Sequence, residues 1–255
     1  MDSLSELAAG ADRLIDPQRL WSTIMEIARI GAIPGGGSCR LSLSDEDRQA
    51  RDLFASWCLE AGCDVRVDPY GNMFAVRAGK GAGQPSILIG SHLDTQPHGG
   101  RFDGVLGVLA GLEIVRTLND RGIVTERPVV VVNWTNEEGV RFKPGLTGSA
   151  GFAGYLDPAA VTGSDGEDFF AELRRTGYAG TAREGLPITS STSSRDPFSN
   201  ASMPLSVWSK GSRACVGTRF RWPAGMPMRE PRRWTAGRTV SWRQRRSPST
   251  CAPRR

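Results

Sequence analysis

Five residues in the middle of the chain have the side chains of a hydrolytic metal centre: His92, Asp94, Asp103, Glu137 and Glu138. Imidazole together with carboxylates is a donor set for Zn²⁺ or a similar divalent cation, and a carboxylate left over can serve as general base. The adjacent pair Glu137-Glu138 is informative, because past a strand end one carboxylate can ligate while its neighbour faces a water on the metal. Each residue also has an ordinary reading when taken singly. A His-x-Asp is common on surfaces, Asp103 could be a helix N-cap, and Glu-Glu pairs are usually solvated.

The surrounding sequence supplies elements that would bring the five together. Ser44 followed by Asp45, Glu46 and Asp47 reads as a capped, acid-rich helix start, and Leu53, Phe54, Trp57, Cys58 and Ala61 keep one face apolar until Gly62 stops it. Asp64 to Asp68 and Met73 to Arg77 flank the turn-like Pro69-Tyr70-Gly71-Asn72, a hairpin pattern. Ile87-Leu88-Ile89 and Val129 to Val132 are unalternating apolar runs, as in strands covered on both faces of a parallel sheet. Between them Val105, Val108, Leu109, Leu112 and Val115 form a helical stripe of crossover length, so the unit reads as βαβ. Open parallel sheets place their chemistry at the carboxyl ends of strands. The first run leads into Gly90-Ser91-His92-Leu93-Asp94-Thr95 and the second into Asn133-Trp134-Thr135-Asn136-Glu137-Glu138. The fold class expected is α/β, a mostly parallel sheet flanked by helices.

The stretches GSHLDTQPHGGRFDGVLGVLAGLEIV and VVVVNWTNEEGVRFKPGLTGSAGFAG resemble the di-zinc aminoacylase/carboxypeptidase clan, and in particular its hydantoinase/carbamoylase branch. That branch holds N-carbamoyl-L-amino-acid hydrolases, allantoate amidohydrolases and β-ureidopropionases. The resemblance runs from about Arg19 to about Ile188, and GGRFDG with NEEGVRF is distinctive of the branch. It implies the N-terminal part of a di-zinc exopeptidase-like catalytic domain. It further implies that His92 ligates one metal, Asp103 bridges two, Glu138 ligates the second, Glu137 is the general base and Asp94 orients His92. His98 falls in a variable position and is not expected to be a ligand. The implied activity is metal-assisted hydrolysis of a linear ureido or amide C–N bond in a small molecule, with two Zn²⁺ per intact site, or Mn²⁺ or Co²⁺ in their place. The choice among carbamoyl amino acids, allantoate and ureidopropionate stays open.

The resemblance also calls for two further histidine ligands and a lid domain that completes the site and mediates homodimerisation. The chain has only two histidines, His92 and His98. The lid and the missing ligands are therefore expected to be absent, with the chain inactive and dimerisation in doubt.

From Thr189 onward the composition changes. Residues 189–255 hold 13 Arg and one Lys against two acids, a net of +12, which leaves −7 on residues 1–188. Only Leu205, Val207, Val216 and Val240 are Leu, Val or Ile in that stretch, beside 12 Ser, 7 Pro and four of the seven Trp. No apolar face can form from this, so residues 1–188 are expected as a partial catalytic domain and 189–255 as a disordered tail. An alternative function follows from the same tail: a non-catalytic protein whose Arg and Trp residues bind single-stranded nucleic acid. The composition is also what G+C-rich coding DNA yields out of frame. Read one nucleotide earlier, Thr192 to Ala201 can encode HIEQGPVLER, which resembles the family's continuation. The five cysteines (Cys39, Cys58, Cys63, Cys215, Cys251) form no C-x-x-C pair and read as buried or incidental thiols. No apolar run approaches the roughly 18 residues of a membrane span, and Met1-Asp2-Ser3 lacks a signal-peptide profile. A cytoplasmic location with no membrane partner is expected.

Sequencing the DNA across the codons for Gly185 to Pro197 should show the alternative frame encoding HIEQGP from Thr192 onward; any other peptide in that frame overturns the reading.

Overall fold

The computed structural model describes residues 15–81 and 84–182, which all lie within one compact unit spanning Arg13–Asp196. The expected basic tail, its frame change and the end of the expected catalytic segment lie outside the described residues.

Helix α1 (Pro17–Ile27) starts at Asp16, whose side chain accepts from the Gln18 and Arg19 amides. Helix α2 (Asp45–Glu60) is capped by Ser44, which accepts from the Asp47 amide. It buries Asp47, Ala50, Arg51, Phe54, Trp57 and Cys58, one face at helical spacing. Gly62, at φ +75°, follows its end as expected. Strands β1 (Asp64–Val67) and β2 (Met73–Arg77) form the hairpin. Then β3 (Ile87–His92), helix α3 (Val105–Asp120) and β4 (Val129–Trp134) form the βαβ unit, with β3 and β4 parallel. Further on come β5 (Phe142–Lys143), helix α4 (Thr147–Phe152), β6 (Thr162–Gly163) and helix α5 (Phe169–Thr176).

The α/β class and the crossover hold, but the sheet is mixed rather than mostly parallel. Its order is β1-β2-β4-β3, with β1–β2 and β2–β4 antiparallel and only β3–β4 parallel. Connection length accounts for two of the three pairings, and the antiparallel docking of β2 on β4 makes the sheet mixed. The short turn between β1 and β2 can join only antiparallel neighbours, whereas the long α3 crossover permits a parallel one. A second expectation also changes. Strand β4 is central and buried along Val129 to Asn133, but β3 is the terminal strand of the sheet, and Ile87 is 44% exposed.

Side chains alternate across the sheet with period two. Met73 and Ala75 of β2, with Val129 and Val131 of β4, face the main core beside Leu20, Ile24 and Ile27 of α1, Phe54 and Trp57 of α2, and Val108, Leu109 and Leu112 of α3. Phe74, Val130 and Val132 face the other way and pack with Val76, Leu88, Trp134 and Phe152. Gly90 is required by close approach, since a Cβ there would lie 2.0 Å from the Val132 carbonyl oxygen. No helix among the described residues is long and apolar enough to cross a membrane.

A buried ion pair ties α2 to the carboxyl end of the sheet. Arg51 and Asp47 are both fully buried, with Nε donating to Oδ2 at 2.8 Å. Arg51 Nη1 donates to the Gly71 carbonyl at 2.9 Å, Nη2 donates to Thr135 Oγ1 at 3.3 Å, and the guanidinium lies 5.2 Å from the Tyr178 ring centroid. Asp47 Oδ2 also accepts from the Leu43 amide at 2.8 Å, which holds Leu43 at φ +58°. Removing one member would leave an uncompensated charge in the core. Arg51→Met should lower unfolding stability by about 3–5 kcal/mol in urea titration, and adding Asp47→Leu should recover most of it.

Candidate metal centre

The register of β3 against β4 pairs His92 with Trp134, so the two strands end level and the chain leaves both at the same rim. His92 is the last residue of β3 and is buried. Its Nδ1 sits 2.8 Å from the Asp94 backbone carbonyl oxygen. A carbonyl can only accept, so Nδ1 carries the proton and Nε2 presents its lone pair.

Asp103 lies in the loop entering α3. The sequence left open whether it caps that helix; it does not. The N-cap position is Gly104, with no side-chain capping bond, and the exposed Asp103 carboxylate is left to face His92 and Glu138. Gly104 has two reasons to be glycine. Its φ is +68°, and a Cβ would lie 2.4–2.6 Å from the His92 carbonyl oxygen and imidazole ring. Donor atoms of His92, Asp103 and Glu138 all lie within 4.8 Å of one another. A cation about 2 Å from each donor suits that spacing after small side-chain rotations, and imidazole with two carboxylates is a donor set for such an ion. His98 is exposed and outside this group.

Glu137 and Glu138 follow β4 on a turn shaped by Asn136, which sits at φ +54°. Asn136 Nδ2 donates to Thr147 Oγ1 at 2.7 Å and to the Phe142 carbonyl at 2.9 Å, so the turn is pinned to β5 and α4. The result separates the two carboxylates. Glu138 joins the donor group, whereas Glu137, with a side chain 28% exposed, places Oε2 at 3.5 Å from His92 Nε2.

Asp94 meets His92 through its backbone rather than its carboxylate. Its carboxylate Oδ1 is 3.8 Å from His92 Nδ1, too long for a hydrogen bond, and its backbone carbonyl holds the imidazole instead. The carboxylate accepts from the amides of Glu137 at 3.3 Å and Glu138 at 3.2 Å. Burial pushes the Asp94 carboxyl up to about 6, with His92 pulling down, Asp47 pushing further up, and the Glu138 amide and Arg51 opposing.

Several supporting residues carried no signal in the sequence. Asn133 Oδ1 accepts from the Leu93 amide at 2.8 Å, linking the ends of β3 and β4. Asn72, in the hairpin turn, accepts from the Thr135 amide at 3.0 Å and donates to the Gly148 carbonyl at 2.9 Å. Gln96 Nε2 donates to Glu138 Oε2. A long-range amide partner leaves no periodicity to read, so the only available cue was the presence of Asn133 in an otherwise apolar strand.

Comparison with known proteins gives the chain's relatives. An N-carbamoyl-L-amino-acid amidohydrolase from Rhizobium meliloti is 50% identical over 181 residues, covering 70% of this chain and 44% of its own length. One from Geobacillus stearothermophilus is 46% identical over 154 residues, covering 60% and 38%. Among solved structures, a hydantoinase/carbamoylase family amidase from Burkholderia ambifaria superposes with a TM-score of 0.64 at 57% identity, over 66% of this chain and 42% of that one. The chain thus spans less than half the length of the curated relatives it matches. The sequence pattern of a metal-dependent family matches residues 88–248, a stretch that contains every residue of the cluster, and the chain belongs to that family, peptidase family M20/M25/M40.

Proposed function

We propose that this chain carries part of the catalytic machinery of an amidohydrolase that cleaves a linear C–N bond in N-carbamoyl amino acids or related ureido acids. The observation that carries the reading is the convergence of His92, Asp103 and Glu138, with Glu137 beside them and outside the donor group. The names of the Rhizobium and Geobacillus relatives support the substrate class.

His92, Asp103 and Glu138 would hold the cation, with Zn²⁺ as the first choice and Mn²⁺ or Co²⁺ as alternatives. A bound cation of this kind polarises a carbonyl and lowers the pKa of water. The chain's own groups do the rest. Glu137 is placed to take a proton from the attacking water and return it to the leaving nitrogen. The Asp94 carbonyl fixes the His92 tautomer, and the Asp94 carboxylate fixes the backbone from which Glu137 and Glu138 project. One water is consumed as the C–N bond breaks; a carbamoyl substrate gives an amine, carbon dioxide and ammonia.

The cluster has one imidazole, and the chain's other histidine, His98, is outside the group. We infer that these 255 residues alone hold metal weakly and do not turn over. Dialysis against a chelator should strip added Zn²⁺ readily, and assays with N-carbamoyl amino acids should show no hydrolysis; two tightly retained zinc ions would overturn this inference.

The carboxylate assignment has its own test. Glu138→Gln should weaken metal binding, whereas Glu137→Gln should leave it intact. In a longer form that completes the site, Glu137→Gln should cut turnover by roughly 10²–10⁴-fold. The reverse pattern in metal titrations would mean that the two carboxylates exchange roles.

A further inference from the structure

Arg40 lies outside every motif that points to the metal centre, yet its side chain is fully buried. Its Nε donates to the Leu93 carbonyl at 3.2 Å and its Nη1 to the Ile30 carbonyl at 3.1 Å. The backbone of the same residue holds the other side of Asp94. The Arg40 amide donates to Thr95 Oγ1 at 2.8 Å, and the Thr95 amide donates to the Arg40 carbonyl at 2.8 Å. Two residues earlier, Ser38 exchanges amide hydrogen bonds with Gly99 at 2.9 and 3.0 Å. Segment 38–40 therefore runs along segment 93–99 as a staple, and Asp94 sits between two residues that Arg40 grips.

We propose that Arg40 is a positioning residue for the metal centre, acting through the Leu93–Thr95 backbone to aim His92 and the Asp94 carboxylate. The inference rests on the reading that His92, Asp103 and Glu138 hold a cation. The link to His92 is short. Nδ1 of His92 donates to the Asp94 carbonyl, so any displacement of the 93–95 segment turns the imidazole. The link to the glutamates passes through the Asp94 carboxylate, which accepts both of their amides.

Charge supports the same role. Four ionisable groups are buried together here: Arg40 and Arg51 against Asp47 and Asp94. Burial pulls the Arg40 guanidinium below its usual range, and Asp47 and Asp94 act to hold its proton in place. Arg40 Nη2 has no hydrogen-bond partner among the described residues. Leaving a buried guanidinium N–H unsatisfied is costly, and a cation used only to fill the core would be poorly suited to that position. Two counter-charges and two held carbonyls explain why it is there.

The test is Co²⁺ titration of the full chain, read from visible absorption, with amide exchange at Leu93 to Thr95 measured without metal. Arg40→Met should weaken Co²⁺ binding by roughly 10- to 100-fold, the usual effect of losing a group that orients a ligand, and should speed exchange at those amides. Arg40→Lys, which keeps the charge but not the fork, should recover only part of the affinity. Leu112→Ala, a core truncation in α3, should lose stability but keep Co²⁺ affinity within about twofold, since no ligand-orienting contact is touched. If Arg40→Met binds Co²⁺ as the unmodified chain does, the inference is overturned. If Arg40→Met does not fold, Thr95→Val decides, because it removes the Arg40 amide acceptor and spares the charge; unchanged affinity there also overturns the inference. No Co²⁺ absorption in the unmodified chain would defeat the metal-site reading itself, and this inference with it.

Discussion

The Asp94 carboxylate is buried, and it takes its hydrogen bonds from two consecutive amides at the end of a neighbouring strand. Burying a carboxylate is costly unless donors are supplied, so the loop after β3 and the turn after β4 cannot separate without exposing that cost. The imidazole, the donor carboxylate and the candidate base all hang on this junction. Around it the chain adds a second layer of buried charge and amide contacts, with Arg40, Arg51, Asn72 and Asn133 each joining segments distant in sequence and Asp47 pairing with Arg51. Their shared effect is to fix backbone, and the backbone then fixes the side chains that would do chemistry.

The parts legible in the sequence were those with local signatures. Ser44 with its acidic followers, the stripe from Val105 to Val115, and the Pro69–Asn72 turn all specify their elements through contacts within a few residues, and each element formed. His92, Asp103 and Glu138 were legible because their family pattern spans three short segments, and the structure draws those segments together. What stayed hidden depended on pairing across the chain. The order β1-β2-β4-β3 inserts β4 between two strands that precede it, and an apolar run such as Val129 to Val132 looks the same in any order.

The Asp94 result shows a second limit. A His-x-Asp spacing suggests a carboxylate reaching back to the imidazole, but a carbonyl on the same residue lies closer. Sequence identifies the residue and not which of its oxygens is used. The same limit applies at Asp103, where a carboxylate at a helix start suggested a cap until Gly104 proved to occupy the capping position.

The outer edge of β3 has a further consequence. Among the described residues no strand pairs with it, and Ile87 at its start is exposed. An unpaired apolar edge is a template for another extended chain, and nothing in Ile87-Leu88-Ile89 blunts it with a charge or a proline. Folding of one chain is first order, whereas edge-to-edge recruitment is second order in protein. Any such recruitment would grow with protein concentration, whereas folding would not.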